Sequence, residues 1–239
     1  MTAILDLHGV SKDYRGLRPL RIERLSVAGG ERVVLLGFDQ ASAEVFTNLV
    51  TGATLPDAGR VHVFGRPTSA IVDSADWLAT VDRFGIVTDR AVLLESLTVI
   101  QNLAMPFTLE IDPPPDHVRA QAEGLAREVG LPEDLWATPV VGLDAAGHAR
   151  VRLGRALALN PAVLVLEHVN ATLNAAEAGL LADALRTSAA RRGAAVVAAT
   201  ADEAFARAIG GRVLRWEPAT GRLTEHRRWF KRHEDTHSL

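Results

Sequence analysis

Two short apolar runs separated by a long segment of helical composition constrain the fold more than any other feature. The runs AVLVLE at residues 162–167 and AAVVAAT at residues 194–200 have the nearly continuous apolar character of buried strands. Between them, residues 174–191 form an alanine-rich segment that predicts a helix. A connection of this length joins parallel strands. The sequence therefore predicts an α/β fold built on a parallel sheet.

The rest of the chain predicts an antiparallel part and a helical part. Residues 3–10 and 20–27 alternate apolar and polar side chains, which is typical of exposed antiparallel strands. RVVLL at residues 32–36 predicts a buried strand, and residues 42–51 place their apolar side chains on one helical face. The remaining predictions are strands at 60–65, 84–88, 212–216 and 222–226, a mostly helical region at 98–160 with a loop at 113–115, and amphipathic helices at 116–129 and 144–159.

Composition excludes several classes of protein. The 239 residues, 48% of them hydrophobic, suffice for one globular domain, and the lack of cysteine excludes disulfides and cysteine-ligated zinc. Asp6, Lys12 and Asp13 interrupt any signal peptide, and no run approaches the roughly 18 apolar residues that span a bilayer. We therefore expect a cytoplasmic protein. A net charge of -3 without a basic cluster before the C-terminal tail argues against nucleic acid as a partner.

The order and spacing of several segments resemble the ATP-binding subunits of ATP-binding cassette (ABC) transporters over residues 3–226. LLGFDQASAEVFTNLVTG resembles the family's phosphate-binding loop and helix, and FGIVTDRAVLLESLTVIQNLAMPF resembles its glutamine loop. LDAAGHARVRLGRALALNPAVLVLEHVNATLN resembles the signature motif, the Walker B strand and the D-loop without a gap.

The resemblance implies an ABC ATPase-like P-loop fold with a RecA-like core, an antiparallel β subdomain and a helical lobe at about residues 90–160. It implies one domain at residues 1–226 and a tail at 227–239. In that tail, Trp229 and Phe230 lie among basic residues that could touch a membrane surface or a partner, although a solvated tail is the preferred interpretation.

The residues that would bind phosphate are replaced. A P-loop needs glycines whose N–H groups wrap the phosphates, a lysine, and a serine or threonine on magnesium. By resemblance, Gln40 and Ser42 stand at two glycine positions. Ala43 stands at the lysine position and Glu44 at the position of the magnesium-binding hydroxyl. The chain has no lysine at positions 13–230 that could compensate.

Glu44 has two interpretations. It is a solvated residue of the first helical turn, or its carboxylate supplies, in place of a phosphate, the negative charge that a helix N-terminus favours. In both cases a carboxylate beside the phosphates disfavours ATP. We therefore expect no cofactor and no bound metal, with ATP and magnesium expected only if a weak, atypical ATPase activity persists.

The other catalytic positions are also replaced. By resemblance, the glutamine that reports on magnesium corresponds to Asp89 and the switch histidine to Ala201. The Walker B aspartate corresponds to Glu167 and the catalytic glutamate to His168. A histidine beside a carboxylate can act as a general base, but phosphoryl transfer depends mainly on positioned cations. We therefore prefer a structural role for His168 at the end of its strand, and expect no catalytic residue.

Three further positions complete the resemblance. The signature serine corresponds to Asp144, whose negative charge would face the γ-phosphate of a partner's ATP, and the D-loop aspartate corresponds to Asn174. Tyr14 is retained where the family stacks an aromatic ring on adenine, although a packing role is the simpler interpretation.

The segment after the glutamine loop keeps its apolar pattern. In the family this segment lines the groove that grips the coupling helix of a membrane permease, and here its pattern is most similar to systems for lipid or lipoprotein transport, including MCE-type systems. The residues are alternatively core of the helical lobe. The candidate docking residues are Leu93, Leu94, Leu97, Val99 and Ile100.

The sequence leaves three hypotheses about function. The preferred one is a non-catalytic pseudo-ATPase that docks on an integral-membrane permease at the inner face of the cell membrane, together with a second copy of itself or an active ABC ATPase subunit. The second is a subunit with weak, atypical ATP hydrolysis that powers lipid transport. The third is a soluble scaffold unrelated to transport.

Overall fold

The computed structural model describes residues 3–225, so the predicted tail lies outside the described residues. The strands are β1 (Ala3–Lys12), β2 (Leu20–Ala28), β3 (Arg32–Leu36), β4 (Ala58–Val63), β5 (Arg66–Pro67), β6 (Phe84–Val87), β7 (Val163–Glu167), β8 (Ala195–Thr200), β9 (Arg212–Glu217) and β10 (Arg222–Glu225). The helices are α1 (Gln40–Val50), α2 (Ser74–Val81), α3 (Val99–Ala104), α4 (Asp116–Glu128), α5 (Ala145–Leu157), α6 (Ala175–Arg192) and α7 (Glu203–Ile209).

The strands form two sheets. One sheet is antiparallel in the order β2-β1-β4-β5, and the other has the order β10-β9-β3-β8-β7-β6. In the larger sheet, β10 pairs antiparallel with β9, and all other neighbouring strands are parallel. Strands β7 and β8 are joined through α6, as the crossover length predicts. The predicted α/β class, the antiparallel pair β1–β2 and the parallel pair β7–β8 are confirmed.

The larger sheet is buried on both faces, which explains its continuous apolar runs. In β3, Val34 and Leu36 belong to one hydrophobic cluster, and Val33 and Leu35 belong to the other. The first cluster contains the helices α3 to α7, and the second joins the sheet to α1 and to the antiparallel sheet. The strand that leads into the candidate site is therefore fixed from both sides.

The region between β6 and β7 contains shorter helices than the sequence predicts. Pro115 stands at the N-terminus of α4, and Pro132 and Pro139 stand at the N-termini of two 3-10 turns. Proline lacks a backbone N–H group and clashes with a preceding helical turn, so it interrupts the helical run. Helices α3, α4 and α5 nevertheless pack on one another as a unit.

Two short helices, α2 and α7, were not predicted, because neither has enough turns to show a helical period. Helix α7 begins after Asp202, whose carboxylate accepts hydrogen bonds from the N–H groups of Ala204 at 2.7 Å and Phe205 at 3.2 Å. Among residues 3–225, none of the helices is both long and apolar enough to cross a bilayer.

Candidate functional site

The loop after β3 consists of Gly37, Phe38 and Asp39, because α1 begins two residues earlier than the sequence pattern predicts. Asp39 is the reason. Its carboxylate accepts hydrogen bonds from the N–H of Ser42 at 2.7 Å and from the Ser42 hydroxyl at 2.6 Å, so it caps the helix. The Ser42 hydroxyl and N–H are the main causes that lower the pKa of Asp39 below its ordinary value.

Phe38 turns into the core instead of leaving an open loop. Its side chain is 2% exposed, and its ring lies 4.5 Å from the ring of Trp216 and 6.0 Å from the ring of Phe46, centroid to centroid. Gly37 permits this path, because its φ of +97° is left-handed and an added Cβ would meet the carbonyl oxygen of Trp216 at 3.3 Å. The loop is therefore anchored by packing.

The loop does not fit a polyphosphate in the manner of a P-loop. The N–H of Ala43 donates to the carbonyl of Asp39 at 2.9 Å, and the N–H of Ser42 donates to the Asp39 carboxylate. The N–H of Ser42 belongs to the first helical turn, whose N–H groups would otherwise point at an anion, whereas the Ala43 bond is the first regular bond within the helix. Ala43, at the lysine position, is only 1% exposed and belongs to the core. The anion that satisfies this helix N-terminus is the chain's own Asp39.

Arg90 lies between two carboxylates at the centre of the candidate site. Its Nη1 lies 2.7 Å from Glu44 Oε1 on α1, and its Nη2 donates to Glu167 Oε2 at 2.6 Å at the end of β7. The Glu167 side chain is 1% exposed, whereas those of Arg90 and Glu44 are 42% and 41% exposed. Burial lowers the pKa of Arg90, but the hydrogen bond and charge of Glu167 and the charge of Glu44 outweigh it, so the pKa is raised above its usual range.

This ion-pair bridge corrects both interpretations of Glu44. Glu44 is neither a free solvated residue nor the charge that caps α1, since it pairs with Arg90 and Asp39 supplies the cap. Sequence reasoning missed Arg90 altogether. The available signal was the replacement of two magnesium-binding positions by Glu44 and Glu167, because two carboxylates brought together require a cation between them.

Glu167 and His168 do not form a general-base pair. Within the described part of the chain, Glu167 Oε1 and His168 Nε2 are both buried without a hydrogen-bond partner, so they do not bond to each other. The backbone N–H of His168 donates to the carbonyl of Ala199 at 2.9 Å, and His168 has a φ of +48°. The structural role of His168 stays a prediction.

Asp89 and Ala201 are exposed, and the side chains that reach buried polar groups belong to the residues next to them. Arg90, next to Asp89, reaches the buried carboxylate. Thr200, next to Ala201, is 1% exposed and donates its hydroxyl hydrogen to Asn170 Oδ1 at 3.0 Å. The site is thus braced by polar contacts one residue away from the positions that the resemblance marks.

Asp144 and Asn174 both act as helix N-caps. Asp144 accepts a hydrogen bond from the N–H of Gly147 at 2.7 Å at the start of α5, and Asn174 accepts from the N–H groups of Ala176 and Glu177 at 3.0 Å at the start of α6. The Asp144 carboxylate therefore satisfies its own helix.

Tyr14 lies beside the short loop. Its ring packs against the cluster that contains Phe38, and burial, followed by the negative charge of Asp39, raises the pKa of its hydroxyl. The structure therefore brings Tyr14 to the same region as the phosphate-loop positions, as the resemblance implies.

A groove of about 340 Å³ lies beside the bridge, between β6, α5 and the chain that follows β6. Residues 89–94, which we call the connecting segment, run from the bridge to this groove. Helix α5 holds the segment: Arg152 Nη2 donates to the carbonyl of Asp89 at 3.2 Å, and Arg155 Nη1 donates to the carbonyl of Val92 at 2.7 Å. The groove is lined by Phe84, Ile86, Ala91, Leu93, Met105, Pro106, Arg152, Arg155, Ala156 and Leu159.

The five candidate docking residues occupy different environments. Leu93 lines the groove at 7% exposure, Leu94 is 38% exposed, and Leu97 is partly buried. Val99 is fully buried and Ile100 is 7% exposed, and both belong to the same core cluster as Leu93. The alternative assignment to core therefore describes these three residues, and Leu94 is the most exposed of the five.

Asn102 shapes the surface at Leu94 and was not anticipated. Its side chain is fully buried, accepts from the N–H of Leu94 at 2.9 Å and donates to the carbonyl of Leu94 at 3.0 Å. It also donates to the carbonyls of Leu97 and Thr98. One buried amide therefore fixes the turn that presents Leu94.

This chain is similar in sequence to transport proteins whose names describe them as ATP-binding. The chain is 30% identical to the methionine import ATP-binding protein MetN of Brucella abortus over 212 residues, which cover 88% of this chain and 56% of that protein. It is 33% identical to the ribose import ATP-binding protein RbsA 1 of Burkholderia thailandensis over 190 residues, covering 78% and 37%. The chain spans about half the length of the curated relatives it matches. No family model matches it.

Solved structures give the same fold. CbiO1 of Clostridium perfringens, part of an ABC transporter complex, superposes with a TM-score of 0.78 at 20% identity, covering 94% of this chain and 88% of that one. A dimeric ATP-binding cassette in a post-hydrolysis state, bound to ADP and phosphate, superposes with a TM-score of 0.75 at 22% identity, covering 93% and 99%. The predicted ABC ATPase-like P-loop fold is confirmed.

The expectation that no cofactor is bound is contradicted by these findings. The relatives are named as ATP-binding proteins, and the cassette dimer holds ADP and phosphate. The expectation rested on the phosphate contacts alone. A nucleotide is also bound through its base and sugar, so replaced phosphate contacts do not by themselves exclude it.

Proposed function

Because this chain belongs to the ABC family of transporter ATP-binding subunits, we propose that it docks on a membrane permease in a structural or regulatory role, without hydrolysing ATP. We take ATP as its nucleotide, as the names of the relatives indicate. The proposal concerns the hydrolysis step and the docking, and leaves nucleotide binding itself in place.

The observation that carries the loss of hydrolysis is the Glu44–Arg90–Glu167 bridge. Phosphoryl transfer depends on cations placed around the phosphates and on a group that orients the attacking water. The cationic Arg90 is held by two carboxylates, at 2.7 and 2.6 Å, and the lysine position holds the buried Ala43. The side chain after Glu167 is His168, whose Nε2 is enclosed without a partner among residues 3–225. These residues provide neither the free cations nor the oriented base.

The groove beside the connecting segment supports docking. Its apolar residues are accompanied by exposed Val92, Leu94 and Leu159, at 73%, 38% and 51% exposure. Exposed apolar side chains next to an apolar groove favour this surface as the one that the partner covers. Arg152 and Arg155 also line the groove, so a short permease helix with apolar side chains and an acidic or carbonyl-rich end would complement it.

The arrangement in a complex follows the family. The structurally similar cassette bound to ADP and phosphate is a dimer. We propose that this subunit likewise pairs with a second copy or with an active ABC ATPase subunit, at the inner face of the cell membrane. The cargo stays a prediction. The sequence pattern favours lipid transport, whereas the relatives above are named for import of methionine and ribose.

Weak, atypical hydrolysis is the second candidate. The observation that favours it is Tyr14, which lies beside the short loop where a nucleotide base would stack and whose pKa is raised by burial and by Asp39. The two candidates differ in turnover and agree on docking.

Affinity purification of the tagged protein at native expression level tests the docking proposal. We expect an integral-membrane protein to co-purify and the tagged chain to fractionate with membranes. A wild-type chain found wholly in the soluble fraction, without an integral-membrane partner, would favour the scaffold hypothesis and contradict the proposal.

A further inference from the structure

Arg90 forms the only direct link that the ion pairs of residues 3–225 make between α1 and the end of β7. It belongs to the connecting segment, so one guanidinium ties three parts of the site. The Glu167 carboxylate is 1% exposed, and a buried carboxylate without a counter-charge is strongly unfavourable. Arg90 supplies the counter-charge of this buried carboxylate.

The guanidinium suits this position because its planar fork presents separate N–H groups to two acceptors. Nη1 is directed to Glu44 and Nη2 to Glu167, so one side chain holds both carboxylates. A magnesium ion would need to approach carboxylate oxygens to about 2.0–2.1 Å. The same two oxygens, Glu44 Oε1 and Glu167 Oε2, already lie 2.7 and 2.6 Å from guanidinium nitrogens. A metal ion that binds these two oxygens from between the carboxylates would therefore have to displace the guanidinium of Arg90.

We propose that Arg90 takes the place of a bound divalent cation in this subunit, so that α1, β7 and the connecting segment stay joined without metal. This inference rests on the proposed function. A site whose carboxylates are paired with an arginine of the same chain keeps one arrangement, as a subunit that does not hydrolyse ATP can. Arg90 is here a positioning residue: it acts through Glu44, Glu167 and the backbone next to it.

The test is thermal unfolding of wild type and Arg90→Ala, with and without millimolar MnCl₂ or MgCl₂ and without nucleotide. Wild type should not respond to either metal. Arg90→Ala should melt about 5 °C or more below wild type, because it leaves Glu167 unpaired. Metal should recover at least half of that loss by binding between the freed carboxylates. Glu44→Gln added to Arg90→Ala should abolish the recovery.

Arg66→Ala is the matched control. Arg66 also makes a two-pronged ion pair, with Asp76 at 2.9 and 3.1 Å, but its side chain is 58% exposed. Its removal should lower the melting temperature by about 2 °C or less and should create no metal response. An equal loss in both variants would reduce the Arg90 bridge to an ordinary surface ion pair.

Arg90→Lys keeps the test decisive if Arg90→Ala folds poorly. A lysine retains the charge but not the fork, so this variant should melt between wild type and Arg90→Ala and should not respond to metal. Arg90→Ala that folds only in the presence of manganese supports the proposal. Arg90→Ala that is unfolded with and without manganese, or Arg90→Lys that metal stabilises, contradicts it.

Manganese binding by wild type, measured by electron paramagnetic resonance, would overturn the proposal directly. The experiment contains neither nucleotide nor permease. ATP hydrolysis by wild type would therefore contradict the proposed function and leave the bridge standing, while manganese binding would remove only the bridge.

Discussion

Two regions of the molecule differ in how far their side chains are buried or paired within the chain. One is the short loop with the Arg90 bridge, and the other is the groove beside the connecting segment. At the loop, Phe38 is packed at 2% exposure, Asp39 caps α1, and Arg90 pairs with two carboxylates. At the groove, Val92 and Leu94 remain 73% and 38% exposed beside a cleft of about 340 Å³. One region is closed by the chain itself, and the other exposes the apolar side chains that the proposed docking requires.

The difference teaches which function the fold still serves. A site that must bind and release a charged ligand leaves hydrogen-bond donors and charges unsatisfied for it. At the loop, the Asp39 carboxylate accepts from the N–H of Ser42, and two carboxylates pair with Arg90. At the groove, the side chains of Val92 and Leu94 stay exposed. Arg90 and Leu94 lie four positions apart in the chain, so the two regions share one segment.

The largest expected effects come from aspartate substitutions near the groove, which distinguish interface residues from core residues. Val99→Asp places a carboxylate at a fully buried position and should cost about 5 kcal/mol or more of unfolding free energy. Leu94→Asp, at a 38% exposed position, should leave the melting temperature nearly unchanged and release the protein from membranes. Leu109→Asp, at a 97% exposed position, is the control and should retain both properties. Equal unfolding of the Leu94 and Val99 variants would assign Leu94 to the core.

Truncation of Phe38 should show that the loop belongs to the core. Phe38→Ala removes a buried ring packed between Phe46 and Trp216 and should cost about 3–5 kcal/mol, measured by urea unfolding. The variant should still co-purify with the permease in so far as it is folded, because the groove is untouched. A cost below about 1 kcal/mol would mean that the loop is open, as a phosphate-binding loop is.

Removal of the α1 cap should have a smaller, pH-dependent effect. Asp39→Ala should lose about 1 kcal/mol at neutral pH, a capping value that already allows for the exposure of Asp39. Because Ser42 lowers the pKa of Asp39 in the folded state, its contribution is present above the ordinary carboxyl value of about 3.9 and is lost as pH falls through the lowered pKa. The difference between wild type and variant should therefore shrink below about pH 4. Asparagine also caps a helix but does not titrate, so the stability difference between Asp39→Asn and Asp39→Ala should stay constant over the same pH range.

Restoring the lysine alone should have the smallest effect, which is none on turnover. Ala43 is 1% exposed, and Ala43→Lys does not move Arg90 or replace His168. ATP hydrolysis by the variant should stay at the level of a buffer blank. Turnover clearly above that level would show that one missing lysine is the whole defect.

The sequence predicted the framework well because strand and helix periods are local. The strand at residues 32–36 and the parallel pair β7–β8 required only apolar runs and a crossover length. The cap at Asp39 could also have been predicted, since an aspartate three residues before Ser42 at a helix start is a capping signal.

The carboxylates at positions 44 and 167 indicated that a cation is needed between them, but the sequence could not identify Arg90 as that cation. Glu44, Arg90 and Glu167 are far apart in the chain, and only the packing of α1 against the sheet brings the two carboxylates to either side of one guanidinium. Ion pairing has no sequence period, so a local pattern cannot reveal it. The different burial of Leu94 and Val99 also could not be predicted from a local pattern. The turn at Leu94, which the Asn102 side chain fixes, interrupts the helical period.

The central claim, that the fold has kept docking and lost turnover, is tested most directly by single-turnover hydrolysis of labelled ATP with magnesium by the purified permease complex, supplied with this chain as its only cassette. We predict release of ADP at the rate of a protein-free blank. Release well above the blank that is abolished by Glu167→Gln would contradict the account and establish the weak ATPase in its place.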